Sequence, residues 1–211
     1  MITIYTISAL IAAYLIGSIP TAVLIGKIFY KVDIREHGSG NSGASNTFRV
    51  LGVKAGIPVM LIDMLKGFFA CSLAHLIGGM ESGTEQYVNF QLVLGITAVI
   101  GHVYPIFAGF QGGKGIATLF GIILAIHPAA ALSCVVVFVV VLLITKYVSL
   151  SSIACALSFP FLLIFVFKTD VRALIIFSLA VMVLVILTHR ENIERLRKGE
   201  ENSAGFLTRK K

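Results

Sequence analysis

The chain has 211 residues, of which 57% are hydrophobic and only 13% charged, with a net charge of +7 and a mean hydropathy of +0.96. A soluble domain carries roughly 25% charged residues, so this chain cannot cover a globular surface with charge. Nucleic acid is excluded as the reason for the positive charge, because the basic residues lie between long apolar runs, where they orient membrane helices.

A membrane helix needs about 20 apolar residues. In chain order the candidates are residues 3–29, 55–78, 90–109, 116–127, 129–145, 150–167 and 171–188. The first run has no basic residue before Lys27, so it is expected to be retained as a span and not removed as a secretory signal. Gly17, Ser18 and Pro20 interrupt it and predict a kink or close helix packing. In the second run, Asp63 and Lys66 stand three apart, which predicts an intramembrane pair with a structural role. Gly101 to Pro105 bends the third run toward a polar loop. His102, within that bend, is read as a satisfied interior histidine. The fourth run is short, and Pro128 ends it because proline disfavours helix in the residue before it. Cys71, Cys134 and Cys155 sit inside apolar runs without ligand spacing and are read as packing residues. The fold class is therefore all-α, a polytopic membrane protein of about seven transmembrane helices. Residues 1–198 form one domain and 199–211 a loose basic tail.

Seven spans put the termini on opposite sides. Of the 17 basic residues, 14 fall on one side, including Lys27, Lys31, Arg35, Arg49, Lys54, Lys114, Lys146 and the tail residues from Arg190 to Lys211. Lys168 and Arg172 fall on the other, and Lys66 lies within a span. The positive side is cytoplasmic, so the N-terminus is expected outside and the C-terminus inside.

Three segments on that cytoplasmic side are unlike ordinary loops. The first runs from Gly38 to Arg49 and contains Gly38, Ser39, Gly40, Asn41, Ser42, Gly43, Ser45 and Asn46. Small residues let backbone N–H groups approach an anion, and the Arg49 fork suits phosphate. Ser45 and Arg49 share a face if a helix begins here. A flexible loop with helix caps is the alternative. The second, Gly109-Phe-Gln-Gly112-Gly113-Lys114-Gly115-Ile-Ala-Thr118, would open the fourth helix at an anion-binding N-terminus. It departs from a Walker A loop at Ala108 and Gly115, which excludes that route to ATP. A tight turn with one topology-setting lysine is its alternative. The third, Thr188 to Leu196, puts His189 and Asn192 at helical spacing. It can also be read as the basic interfacial end of the last helix. The charge count puts all three segments on one side, which makes a site for one or two phosphates at the membrane surface.

Competing chemistries lack their residues. The positions five after the five histidines are Ser42, Met80, Phe107, Leu132 and Glu194, so a His-x4-Asp acyltransferase is unsupported. Asp33, Asp63 and Asp170 are too far apart for a metal-dependent lipid phosphotransferase, and neither metal nor cofactor is expected. A transporter for a phosphorylated solute is the main alternative function. Such sites usually sit near the midplane, whereas these motifs lie at one surface.

The stretches GSIP at 17–20, GSGNSGASNTFR at 38–49, GHVYPIFAGFQGGKGIAT at 101–118 and THRENIERLRKGEE at 188–201 resemble the bacterial acyl-phosphate-dependent glycerol-3-phosphate acyltransferases of the membrane. The resemblance implies seven spans with the N-terminus outside and a site on the cytoplasmic side of the inner membrane. It implies transfer of a fatty acyl group from acyl phosphate to the 1-hydroxyl of glycerol 3-phosphate, giving lysophosphatidic acid and phosphate. By motif position Ser39, Arg49, Lys114, His189 and Asn192 would form the polar pocket. Gly38, Gly40, Asn41, Gly43, Asn46, Gly112, Gly113 and Gly115 would handle phosphate. The proton acceptor would be His189 or, as the resemblance favours, the donor's own phosphate. Membrane lipids and a transient contact with the enzyme that makes acyl phosphate are the other expected partners. Ser42 replaces a frequent proline of the family, Ala22 a glycine and Ser203 a lysine.

Overall fold

A computed structural model describes residues 4–77, 80–201 and 203. Most of the tail, including Arg209, Lys210 and Lys211, lies outside the described residues. The described residues are helical apart from their connections and fall into two compact units, Met1–Ile126 and His127–Lys211.

In the first unit, α1 (Ile4–Ser18) stops where Pro20 interrupts the backbone ladder. α2 (Thr21–Ile25) resumes at a 42° bend and widens into a single π-type stretch over Gly26–Tyr30. The short α3 (Ala44–Leu51) leads through Gly52 into α4 (Val53–Ser72), which a 3₁₀ turn extends to Leu76. α5 (Glu85–Val103) starts five residues before the predicted third run, because the Thr84 hydroxyl accepts from the Tyr87 N–H and caps a polar first turn. α6 (Ile116–Ile126) completes this unit.

Packing inside the first unit depends on small side chains. Without a strong hydrophobic drive between helices in lipid, close backbone approach supplies the contact energy. Ala9, Ala13, Ala70, Ala74 and Ala98 are buried together where α1, α4 and α5 meet. α4 lies against α6 so closely that a Cβ on Gly67 would collide with the Thr118 carbonyl, and one on Gly121 with that of Met64.

The second unit holds α7 (Pro128–Thr145), α8 (Val148–Phe161), α9 (Arg172–Thr188) and α10 (Arg190–Lys198). Pro128 occupies the first position of α7, where its missing N–H costs nothing, and the His127 ring accepts from the Ala130 N–H as cap. Only 17% of the apolar α7 window is buried, an arrangement suited to a hydrocarbon environment.

All seven predicted runs are helical, but they are not equally long. Four helical stretches are long and apolar enough to cross a bilayer, or up to six if each of two bent pairs is one span. α6 has 11 residues and rises only about 16 Å, roughly half the hydrocarbon thickness. α9 does not run straight into the third motif, because a 56° bend separates it from α10 at His189.

Candidate active site

Two of the three predicted segments meet in the first unit. Asp33 opens the first loop by accepting from the backbone N–H of Arg35, while its carboxylate pairs with the Arg35 guanidinium at 2.7 Å and the Lys27 ammonium at 3.0 Å. The hydrogen-bonded guanidinium, aided by Lys27, holds the Asp33 carboxyl far below the usual carboxylate range despite some burial. Arg35 also donates to the Ala108 carbonyl at 3.2 Å, 73 residues away, and so ties the first loop to the second. The Ser42 hydroxyl adds a second tie by donating to the Gln111 carbonyl at 3.2 Å.

Asn46 organises the first loop. It is 1% exposed. Its Oδ1 accepts from the Ser39 N–H at 2.9 Å, and its Nδ2 donates to the Ile34 and His37 carbonyls at 3.1 and 2.9 Å. The side chain expected to handle phosphate is thus committed to the loop that carries Ser39. Gly38 and Gly40 take left-handed φ values of 63° and 71°, which make the loop's turns. Gly43 precedes α3, so Ser45 and Arg49 do share a helical face; both are exposed. Ser39 is exposed and Asn41 half-buried on the same loop.

The second loop is built on the end of α5. The Gly112 and Gly113 N–H groups donate to the carbonyls of Val103 and His102 at 3.1 and 3.2 Å. These two amides satisfy the helix end, so the amide cradle expected from the sequence loses two of its donors. The glycines are needed for proximity: a Cβ on Gly112 would strike the His102 carbonyl, and one on Gly113 the His102 ring. Lys114 is half-buried, and Gly115, at φ 74°, turns the chain into α6 at Ile116. The first-turn amides of an α-helix have no intrahelical acceptor, so Lys114 stands beside a partial positive charge.

Beneath this loop lies a buried polar cluster. Asp63 and Lys66, on α4, pair at 2.5 Å and are 1% and 3% exposed. The Lys66 ammonium also donates to the Ile19 carbonyl at the break in the first span, and the Thr21 hydroxyl donates to Asp63 at 3.0 Å. The His102 Nδ1 lies 3.8 Å from the same Asp63 oxygen. Thr21, Ser42, Lys66, His102, Gly112 and Gly113 line a cleft with room for about one water. Thr21 and Arg35 were not singled out in the sequence. The Asp33-x-Arg35 spacing was the available signal for the second.

In the second unit, His189 is buried at the bend, and its Nδ1–H donates to the Val185 carbonyl at 2.8 Å, since a carbonyl can only accept. Asn192, three residues on in α10, donates to Glu201 at 2.9 Å. Glu201 also accepts from Ser149 and from Arg195, each at 2.8 Å. Burial raises its carboxyl, but those three donors outweigh burial and hold it below the usual glutamate value.

Comparisons with known proteins point to one family. A family model described as glycerol-3-phosphate acyltransferase matches residues 7–199. Glycerol-3-phosphate acyltransferase 2 of Bacillus anthracis is 46% identical, over 93% of this chain and 97% of that protein. Glycerol-3-phosphate acyltransferase of Listeria monocytogenes is 48% identical, over 94% and 96%. Among solved structures, the glycerol 3-phosphate form of PlsY, an integral membrane glycerol 3-phosphate acyltransferase, superposes with a TM-score of 0.82 at 37% identity, covering 96% of this chain and 97% of that one. The lysophosphatidic acid form of PlsY superposes with a TM-score of 0.77 at 36% identity, covering 94% of each chain. The chain therefore belongs to the glycerol-3-phosphate acyltransferase family of multi-pass integral membrane proteins.

Proposed function

We propose that this chain transfers a fatty acyl group from acyl phosphate to the 1-hydroxyl of glycerol 3-phosphate, giving lysophosphatidic acid and inorganic phosphate. The observation that carries this is the likeness, along 96% of the chain, to a structure in its glycerol 3-phosphate form. The bonds from Arg35 to Ala108 and from Ser42 to Gln111 support it, because they join the segment that carries Ser39 and Arg49 to the one that carries Lys114.

The donor is a mixed anhydride and already activated, so positioning and charge are the main requirements. Arg49 and Lys114 offset the phosphate charges, with the N-terminus of α6 beside Lys114 adding its partial charge. Ser39, on the loop that Asn46 holds, contacts the acceptor. The glycerol hydroxyl oxygen bonds to the acyl carbon, the bond from that carbon to the bridging phosphate oxygen breaks, and the proton passes to the leaving phosphate. His189 and Asn192 take their polar-pocket role from the motif they stand in. No acyl-enzyme forms. The chain crosses the bilayer seven times, with α6 as the short crossing. Its N-terminus is outside, its site faces the cytoplasm, and residues 1–198 act as one domain.

The test is turnover by purified protein given acyl phosphate and glycerol 3-phosphate, with acyl-CoA and acyl carrier protein as parallel donors. Lysophosphatidate from acyl phosphate alone is expected, abolished in folded Lys114→Ala and Arg49→Ala. Near-normal turnover by Lys114→Ala would remove the phosphate site. Uptake of glycerol 3-phosphate into liposomes without chemistry would favour transport instead.

A further inference from the structure

The mechanism above uses neither the ion pair nor the histidine buried beneath the glycine loop. Inside a bilayer each charge is costly, and a well-packed apolar pair of similar volume often serves stability as well as a buried ion pair does. What an apolar pair cannot do is bond the Ile19 carbonyl while holding Thr21 and facing an imidazole. Asp63 is the common acceptor: it takes Thr21 from beyond the break, Lys66 from its own helix, and lies 3.8 Å from His102 on α5. Lys66 joins this centre to the last carbonyl before Pro20. His102 carries the loop itself, because its carbonyl accepts from the Gly113 N–H at 3.2 Å and its ring fills the space a Gly113 side chain would take. The next residue is Lys114.

We propose that Asp63, Lys66 and His102 are positioning residues for glycerol 3-phosphate, fixing the broken first span to the Gly112–Gly113 turn and thereby setting where Lys114 meets the phosphate. This rests on the function proposed above but concerns acceptor binding alone. None of the three touches substrate. Movement of the turn shifts Lys114 and the start of α6 together, and a displacement of about 1 Å in such a site costs on the order of 10²-fold.

The test uses the full-length protein with two sets of changes. His102→Gln keeps a hydrogen-bonding side chain without the ring, and Asp63→Asn/Lys66→Gln removes both charges together so that neither is left unpaired. Direct binding of radiolabelled glycerol 3-phosphate needs no donor, and KM and kcat are measured alongside it. Both folded variants should bind glycerol 3-phosphate about tenfold or more weakly, with KM for the acceptor rising in parallel and KM for acyl phosphate changing less than about twofold. A purely structural network would lower the yield of folded protein or its thermal midpoint while leaving Kd per folded molecule unchanged. Parental Kd in the folded variants would overturn the positioning role. If the double variant does not fold, His102→Gln and Gly113→Ala, which pushes a methyl into the imidazole, decide the matter by the same Kd. A parent that binds glycerol 3-phosphate but does not turn over acyl phosphate would refute the donor and leave the positioning test intact.

Discussion

Asn46 separates two accounts of the first loop. If its amide touches phosphate, Asn46→Ala should weaken substrate binding and leave the loop intact. The structure predicts the reverse order of effects, because the buried amide makes three bonds to Ser39, Ile34 and His37. At about 1 kcal/mol net for each, removal costs about 3 kcal/mol of loop stability. That is on the order of 10²-fold in the local opening equilibrium. Amide hydrogen exchange reads this directly, since the Ser39 N–H is protected by the Asn46 oxygen. Exchange across residues 34–47 should accelerate by about that factor without substrate, while helices α4 to α6 exchange as before. Asn46→Asp should be no milder at neutral pH, because a carboxylate still accepts from Ser39 but has no hydrogen to give the two carbonyls. Parental exchange at Ser39 with a raised KM for glycerol 3-phosphate would refute this reasoning and return Asn46 to the ligand.

Three other outcomes follow from the same structure. Gly67→Ala and Gly121→Ala should each destabilise the α4–α6 contact by about 1–3 kcal/mol, because the new methyl meets backbone that cannot rotate away. Thermal unfolding followed by thiol labelling of buried Cys71 and Cys134 checks this, and an unchanged midpoint in both would contradict the close approach. Arg35→Ala should raise KM for glycerol 3-phosphate several-fold with little change in folded yield, since it unties the first loop from Ala108; kinetics with purified protein decide it. Glu201 supplies a pH dependence. Its folded pKa is depressed, so its contribution is present above the ordinary value of 4.5 and fades as pH falls through the lower folded value. Exchange in α10, corrected for intrinsic rate, should therefore speed up below about pH 4.5 in the parent and vary less with pH in Glu201→Gln.

The fold was legible in the sequence where composition decides it. Long apolar runs mark the helices, Pro20 marks the broken first span, and Pro128 marks the start of α7. The three-residue spacing of Asp63 and Lys66 announced their pairing. What stayed hidden depends on partners distant in sequence or on bends without a signature residue. Nothing local says that the Gly112 and Gly113 amides bond the end of α5, because their acceptors lie about ten residues back. The bend at His189 contains neither proline nor glycine, so nothing local announces it. Asn46 looked like a ligand group because its type and setting suit phosphate as well as they suit carbonyls. Arg35 looked like one more topology-setting cation, and only the fold brings Ala108 to it.

The central claim is that the two tied loops of the first unit hold glycerol 3-phosphate. Hydrogen exchange of the purified protein with and without saturating glycerol 3-phosphate tests it most directly. Added ligand should slow exchange in both 38–49 and 111–118, and Lys114→Ala should abolish both changes. Slowing in neither segment, at a concentration where bound radiolabel is measured, would contradict it.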